Sequence, residues 1–120
     1  MTRPKYIMHY DLNDKPYEGD TESIMFQWAK DFENIENRRV GLDTVGNKTI
    51  STVWLGTNHA FSPDSPPLIY ETGVCGPDGD WDIITRYSTR EQAIKGHEEI
   101  KRDITLRGVK WHTPKDLNLD

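Results

Sequence analysis

The stretch ISTVWLGTNHAFSPDSPPLIYETGVC, residues 50–75, decides the fold of this chain. It contains the two most strand-like runs of the sequence, residues 50–55 and 68–74, which are rich in β-branched and aromatic side chains and are bounded by Gly, Asn and Pro. Between them lies a polar connection, residues 56–66, which is longer than an ordinary hairpin loop. Two strands with clear strand patterns, joined by a long loop, predict a rigid scaffold with one edge that is a candidate for function.

The segments on either side of this stretch extend the sheet in both directions. Residues 39–45 alternate weakly between apolar and polar side chains, and the Gly46-Asn47 turn joins them to the strand at 49–55. This pattern predicts a β-hairpin whose weaker arm is a sheet edge. On the other side, the sequence GPDG at residues 76–79 indicates a turn that leads into a strand at residues 81–87.

Two segments show the apolar spacing of amphipathic helices that pack on a sheet. The first begins at Asp20 or Thr21 and runs to about Asn37, and the second begins at a capping-box pattern formed by Ser88 and Glu91. The apolar stripes comprise Ile24, Trp28, Phe32 and Ile35 in the first helix and Ala93, Ile94, His97, Ile100 and Ile104 in the second.

These elements define a single α+β domain over residues 1–120. With a short strand candidate at residues 5–10, their order is β-α-β-β-β-β-α. The sequence therefore predicts an antiparallel meander of four to five strands with two helices on one face. The ordered core is expected at about residues 5–108, followed by a tail at 109–120 that has no apolar periodicity. Gly96, inside the second helix, is predicted to permit a close approach of its backbone to a neighbouring element.

Composition excludes several classes of function. The apolar fraction is 34% and the mean hydropathy is −0.80, so the core must be small and must depend on its aromatic residues. The formal net charge of −5 argues against broad nucleic-acid binding, which needs clustered Lys and Arg. The single Cys75 excludes an internal disulfide. Without an apolar run of about 20 residues or a signal-peptide core, no membrane segment is predicted and a reducing cytoplasm is favoured.

The histidines are the first candidates for chemistry. His59 lies in the long loop, where we expect a solvated side chain. The alternative is that it acts as an acid–base group or contacts a phosphate. His97 lies on the inward stripe of the second helix, where we expect a buried neutral imidazole hydrogen-bonded to a strand group. The sequence lacks the spacings typical of metal sites, hydrolases and nucleotide-binding loops, so no catalytic residue, metal or cofactor is predicted.

Five residues are candidates for binding a partner: His59, Phe61, Trp54, Glu71 and Arg86. Because successive side chains of a strand point to opposite faces, the strand residues cannot all share one surface. Glu71 and Arg86 are expected to form a cross-strand ion pair, with a charged platform for a ligand as the alternative. The loop is the preferred contact surface, with His59 and the aromatic Phe61 as its contacts. In the other interpretation, Phe61 folds back over the sheet.

Several sequence blocks occur in a distinctive order. STVWLG at residues 51–56 is followed by His59, by PPLIYET at 66–72, by RYST at 86–89 and then by a helix that contains Gly96-His97. In this order the blocks resemble a family of small uncharacterised proteins of tailed phages and prophages. The resemblance covers about residues 6–104, and the chain departs from it in a loop that is Ser- and Pro-rich rather than Gly-rich. It implies a phage origin and expression in the cytoplasm of a host bacterium.

A phage origin, a small size and an acidic charge favour a non-catalytic accessory protein that binds a host macromolecule, in the first place a host protein. Inhibition of a host defence system is one form that such binding could take. A small enzyme or nucleotide-binding protein that uses His59 with Glu71 is the first alternative. A component of the virion or of its assembly is the second. The resemblance itself implies no activity and no catalytic residue.

Overall fold

A four-stranded antiparallel sheet forms the centre of the computed structural model, which describes residues 7–60 and 62–107. The strands are β1 (Arg39–Val45), β2 (Lys48–Trp54), β3 (Tyr70–Cys75) and β4 (Trp81–Tyr87). They lie side by side in the order in which they occur along the chain, each antiparallel to the next. This meander and the flanking helices confirm the predicted α+β class.

The helices are α1 (Thr21–Glu33), α2 (Ile35–Arg38) and α3 (Arg90–Arg107). The side chain of Asp20 accepts a hydrogen bond from the Ser23 amide and caps α1, as expected for an Asp at this position. The first predicted helix ends earlier than residue 37 because Asn34 leaves the helical conformation and caps α2 instead, accepting a hydrogen bond from the Asn37 amide. Ile35, which was expected in the apolar stripe, is consequently exposed.

Helix α3 begins one residue later than the predicted capping box. The Thr89 hydroxyl accepts a hydrogen bond from the Gln92 amide at 3.1 Å, and the Gln92 side chain accepts one from the Ser88 amide at 3.0 Å. Thr89 and Gln92 therefore perform the roles that the pattern assigned to Ser88 and Glu91. Both pairs have the same three-residue spacing and suitable side chains, so spacing alone does not distinguish them.

The first predicted strand is reduced to isolated bridges in the part of it that the structure describes, residues 7–10. One bridge joins His9 to Thr57, and the Tyr10 amide donates to the Gly56 carbonyl at 2.8 Å. The N-terminal segment thus runs beside the start of the long loop and ties it to the rest of the domain.

The core lies between one face of the sheet and the helices. Burial alternates along β2, so that every second side chain is buried. One buried cluster joins the sheet to the C-terminal half of α3 and comprises Ile50, Val74, Ile100 and Ile104. A second, aromatic cluster comprises Trp54, Ile69, Tyr70 and Ala93, with Trp28 and Phe32 of α1 packed against it. Helix α3 contacts all four strands on this face, and α1 packs against its aromatic cluster through Trp28 and Phe32. The opposite face of the sheet carries no described helix.

Candidate binding surfaces

The structure places the predicted binding residues in different environments. Trp54 is fully buried, and its indole N–H donates to a main-chain carbonyl 3.1 Å away, so this side chain belongs to the core and not to a surface. Glu71 and Arg86 lie together on the uncovered face of the sheet. His59 is exposed in the long loop. Phe61 lies outside the described residues.

Glu71 and Arg86 stand directly opposite each other on β3 and β4. The Arg86 Nε donates to the Glu71 Oε1 at 3.4 Å, which is the expected cross-strand ion pair. A partly exposed pair of this kind contributes about 0–1 kcal/mol to stability. It therefore does little to hold the sheet together, and its main effect is to place charge at one end of the uncovered face.

The side of the sheet opposite the described helices, here called the open face, consists of the side chains that point away from those helices. It exposes three large apolar side chains, Leu42, Trp81 and Ile83, with Trp81 about half exposed. A shallow depression of about 320 Å³ lies between the strands, and it is lined by Ser51, Val53, Glu71, Gly73, Trp81 and Ile83. An exposed group of apolar side chains on one face is a common mark of an interaction site.

Asn58 holds the long loop in place from within. Its Oδ1 accepts hydrogen bonds from the amides of Ala60 at 2.8 Å and Leu68 at 3.1 Å, and its Nδ2 donates to the Ile7 carbonyl at 3.1 Å. One buried side chain thus joins the two ends of the loop and the N-terminal segment. His59 follows immediately and points outward, so the loop presents it from a fixed base.

A groove of about 720 Å³ adjoins this loop, between the N-terminal segment and the start of α1. It is lined by Ile7, Met8, His9, Pro16, Tyr17, Gly19, Asp20, Thr21, Ile24 and Met25. The Met8 carbonyl accepts a hydrogen bond from the Asn58 amide at 2.7 Å, which places the groove next to the loop. Met8 and Met25 are both exposed, and the flexible methionine side chain suits adaptable apolar contacts. Burial lowers the pKa of His9, which favours its neutral form.

A chain of hydrogen-bonded side chains crosses the core beneath α3, and its members are Asp43, His97, Thr52, Thr72 and Tyr87. His97 Nε2 lies 2.7 Å from Asp43 Oδ2, and His97 Nδ1 lies 2.7 Å from Thr52 Oγ1. The Thr52 and Thr72 hydroxyls are 2.5 Å apart, and Thr72 is 2.9 Å from the Tyr87 hydroxyl. The expected buried histidine, bonded to strand groups, is thereby confirmed.

Asp43, His97 and Thr52 have the order carboxylate, imidazole and hydroxyl that is found in nucleophilic triads. Thr52 is 0% exposed and His97 is 2% exposed, so a substrate carbonyl cannot reach the hydroxyl. The hydrogen bond from His97 lowers the pKa of Asp43, and Lys101, whose Nζ lies 3.2 Å from Asp43 Oδ1, acts in the same direction. This set stabilises the core and is not an active site.

Asp43 and His97 also form, with Glu98, the group of described residues that could hold a metal ion, since their ligand atoms lie within 4.8 Å of one another. The contacts already present oppose this use. Asp43 binds both His97 and the ammonium group of Lys101, and a cation would have to displace them. We therefore assign no metal to this group.

Comparison of the chain with protein-family models, with curated proteins and with solved structures gives no match. Among the described residues, no helix is long and apolar enough to cross a membrane. Two surfaces are the candidates for function, one formed by the loop and groove and the other by the open face.

Proposed function

We propose that this protein is a non-catalytic accessory protein of a phage, which binds a host protein in the bacterial cytoplasm and so inhibits it. A host protein that belongs to a defence system is one such target. Its contact surface is the loop–groove surface, defined as His59, residues 62–66, Met8, Met25 and the other residues that line the groove. The observation that carries the proposal is the anchoring of the long loop by Asn58.

An anchored loop favours binding because it loses its conformational entropy when the protein folds and not when the partner binds. Association otherwise loses free energy to the immobilisation of loops and side chains. The amides of Ala60 and Leu68 donate to the Asn58 side chain, and the side chain of His59 is exposed and accessible to a partner. A long loop held in this way by a rigid scaffold is a common site of function in compact domains.

The groove indicates the chemistry of the partner. Its exposed methionines can accept an apolar side chain, which would act as the anchor of the interface. Asp20 lines the groove, and its sequence neighbours Glu18 and Glu22 are also exposed, in a chain of net charge −5. We infer that the partner presents an apolar side chain flanked by Lys or Arg, because complementary charge speeds the encounter and fixes its orientation.

The same geometry disfavours the alternative of an enzyme that uses His59 with Glu71. Glu71 is paired with Arg86 on the open face, whereas His59 belongs to the loop. The histidine that does contact a carboxylate and a hydroxyl is His97, and it is sealed in the core. Binding therefore has better support than catalysis.

The experiment compares capture by three forms of the tagged full chain from a lysate of the host bacterium, followed by binding of the purified partner. Met25→Glu places a charge in the groove, and Phe26→Glu places the same charge at the adjacent exposed residue, which does not line the groove. We expect Met25→Glu to abolish capture and Phe26→Glu to preserve it, with unchanged melting temperatures. We also expect the association rate to fall with added salt. Equal capture by both variants, or a salt-independent rate, would contradict the proposal.

A further inference from the structure

The open face has an apolar middle and two ends of opposite charge. The strand register places Leu42, Ser51, Gly73 and Ile83 in one row across the sheet. In the same way Arg39, Val53, Glu71 and Arg86 form a row at one end, with two positive charges and one negative. At the other end, beside Trp81, the turn between β3 and β4 carries the exposed Asp78 and Asp80.

We infer that a second copy of this chain covers the open face, sheet against sheet, with the strands of the two copies running in opposite directions. A two-fold axis parallel to the sheets and across the strands produces this arrangement. It places the arginine end of each copy on the aspartate end of the other, so the same charge contact forms twice. The apolar rows of the two copies meet in the middle.

The shape of the face suits such packing. Two packed sheets lie about 10 Å apart and fill the space with interleaved side chains from both. The central strands contribute the small residues Ser51 and Gly73, and the Trp81 ring lies against Gly73, so that a Cβ added at Gly73 would be 3.2 Å from the ring. The depression of about 320 Å³ left beside the ring can accept an apolar side chain of the second copy.

Charge and area both favour a second copy over an unrelated protein. A partner of a single charge would match only one end of the face, whereas an inverted copy matches both. With about 3.3 Å of rise per residue and about 4.8 Å between strands, the face measures roughly 20 by 19 Å. Covering it in both copies buries on the order of 1,000 Å², which is near the lower limit of a specific interface. The dimer should therefore dissociate on dilution.

Analytical ultracentrifugation of the full chain over a range of concentrations tests this inference. We expect a reversible monomer–dimer equilibrium for the unsubstituted protein. Ile83→Glu, on the open face, should remain monomeric, and Ile94→Glu, which is similarly exposed on α3, should dimerise normally. Leu42→Glu is a second disruptive variant on a different strand, and circular dichroism melts identify any variant that fails to fold.

A charge exchange tests the orientation of the two copies. The axis keeps β4 of one copy over β4 of the other, so Arg86 lies opposite Asp80 of the second copy. Arg86→Glu or Asp80→Lys alone should weaken dimerisation by about tenfold or more, and the two together should restore it, because the opposite charges face each other again. A protein that stays monomeric at all concentrations overturns the inference, as does a dimer that survives both Ile83→Glu and Leu42→Glu. Failure of the double variant to recover overturns the inverted arrangement. Met25→Glu should leave dimerisation intact, so this result is independent of the loop–groove surface.

Discussion

His97 Nε2 lies 2.7 Å from Asp43 Oδ2, and this buried contact joins helix α3 to the edge strand β1. Because a carboxylate only accepts hydrogen bonds, Nε2 donates to Asp43, and Nδ1 pairs with the Thr52 hydroxyl on the other side of the ring. Thr72 then continues the chain toward Tyr87. Each polar group in this hydrogen-bonded series has a partner, so removing one side chain leaves its neighbours desolvated and unpaired.

The first prediction concerns His97→Ala. We expect the free energy of unfolding to fall by roughly 2–5 kcal/mol, because the substitution opens a cavity and leaves Thr52 without its imidazole partner. Chemical denaturation followed by circular dichroism measures this change. The neighbouring Glu98→Ala, at an exposed position of the same helix, should change stability by no more than about 0.5 kcal/mol. Equal effects of the two variants would show that the buried series of hydrogen-bonded side chains is unimportant for stability.

The second prediction concerns acid. The pKa of Asp43 is lower in the folded protein than its ordinary value of 3.8, chiefly because of the hydrogen bond from His97. A carboxyl group with a lowered folded pKa contributes stability above its unfolded pKa and loses that contribution as the pH falls through the folded pKa. Below about pH 4, stability should therefore fall less steeply in Asp43→Asn than in the unsubstituted protein.

Lys101→Met is the control for this comparison. It removes the weaker of the two hydrogen-bonded partners of Asp43 and keeps His97, so most of the acid dependence should remain. Denaturation curves recorded at several pH values give the slopes for all three proteins. Parallel slopes for Asp43→Asn and the unsubstituted protein would disprove a contribution from this carboxyl group.

The third prediction concerns Gly96, which lies against the ring of Tyr87. A Cβ added at Gly96 would overlap the ring and its hydroxyl, so the close approach expected from the sequence is present. At a solvent-exposed position inside a helix, a Gly→Ala substitution stabilises the protein by about 1 kcal/mol. We expect the opposite sign here, a loss of at least about 1 kcal/mol, because Tyr87 must move and is tied to Thr72. Lys95→Ala, an exposed neighbour in the same helix, should be nearly neutral in the same denaturation experiment.

Local patterns were sufficient to predict the sheet, because strand alternation and the turns at residues 46–47 and 76–79 act over a few residues. They were insufficient at the helix ends. The apolar spacing of the first helix continues past Asn34, and only the side-chain cap formed by that residue interrupts it. At α3, the Arg90 amide donates to Asp14 Oδ2 at 3.0 Å, and this contact across 76 residues favours a start at Arg90.

The candidate surfaces show the same division between local and distant contacts. The inward position of His97 follows from helical spacing, whereas its partners Asp43 and Thr52 depend on the strand register, which local sequence patterns do not determine. The exposure of His59 was expected from its loop. The anchoring by Asn58 was missed, because its amide reaches the Ile7 carbonyl across 51 residues. An Asn in a long polar loop gives no signal that distinguishes an anchor from a solvated residue.

The fourth prediction separates the two possible caps of α3. Thr89→Ala should lower the free energy of unfolding by about 0.5–2 kcal/mol, because it removes the hydroxyl that accepts from the Gln92 amide. Ser88→Ala should be close to neutral, since Ser88 engages Gln92 through its main-chain amide, which alanine retains. Thermal and chemical denaturation of the two variants give the comparison. A larger loss in Ser88→Ala would return the cap to the position expected from the sequence.

The last prediction concerns the anchor of the loop–groove surface. Asn58→Ala removes the acceptor for the amides of Ala60 and Leu68 and the donor to the Ile7 carbonyl. We expect faster hydrogen exchange at both amides and a lower melting temperature, because buried polar groups lose their partners. Asn58→Asp keeps an acceptor oxygen and loses only the donor, so the two amides should stay protected while the contact with the N-terminal segment weakens. If both variants exchange like the unsubstituted protein, the loop is ordered by other contacts, and the argument for a preorganised binding surface loses its basis.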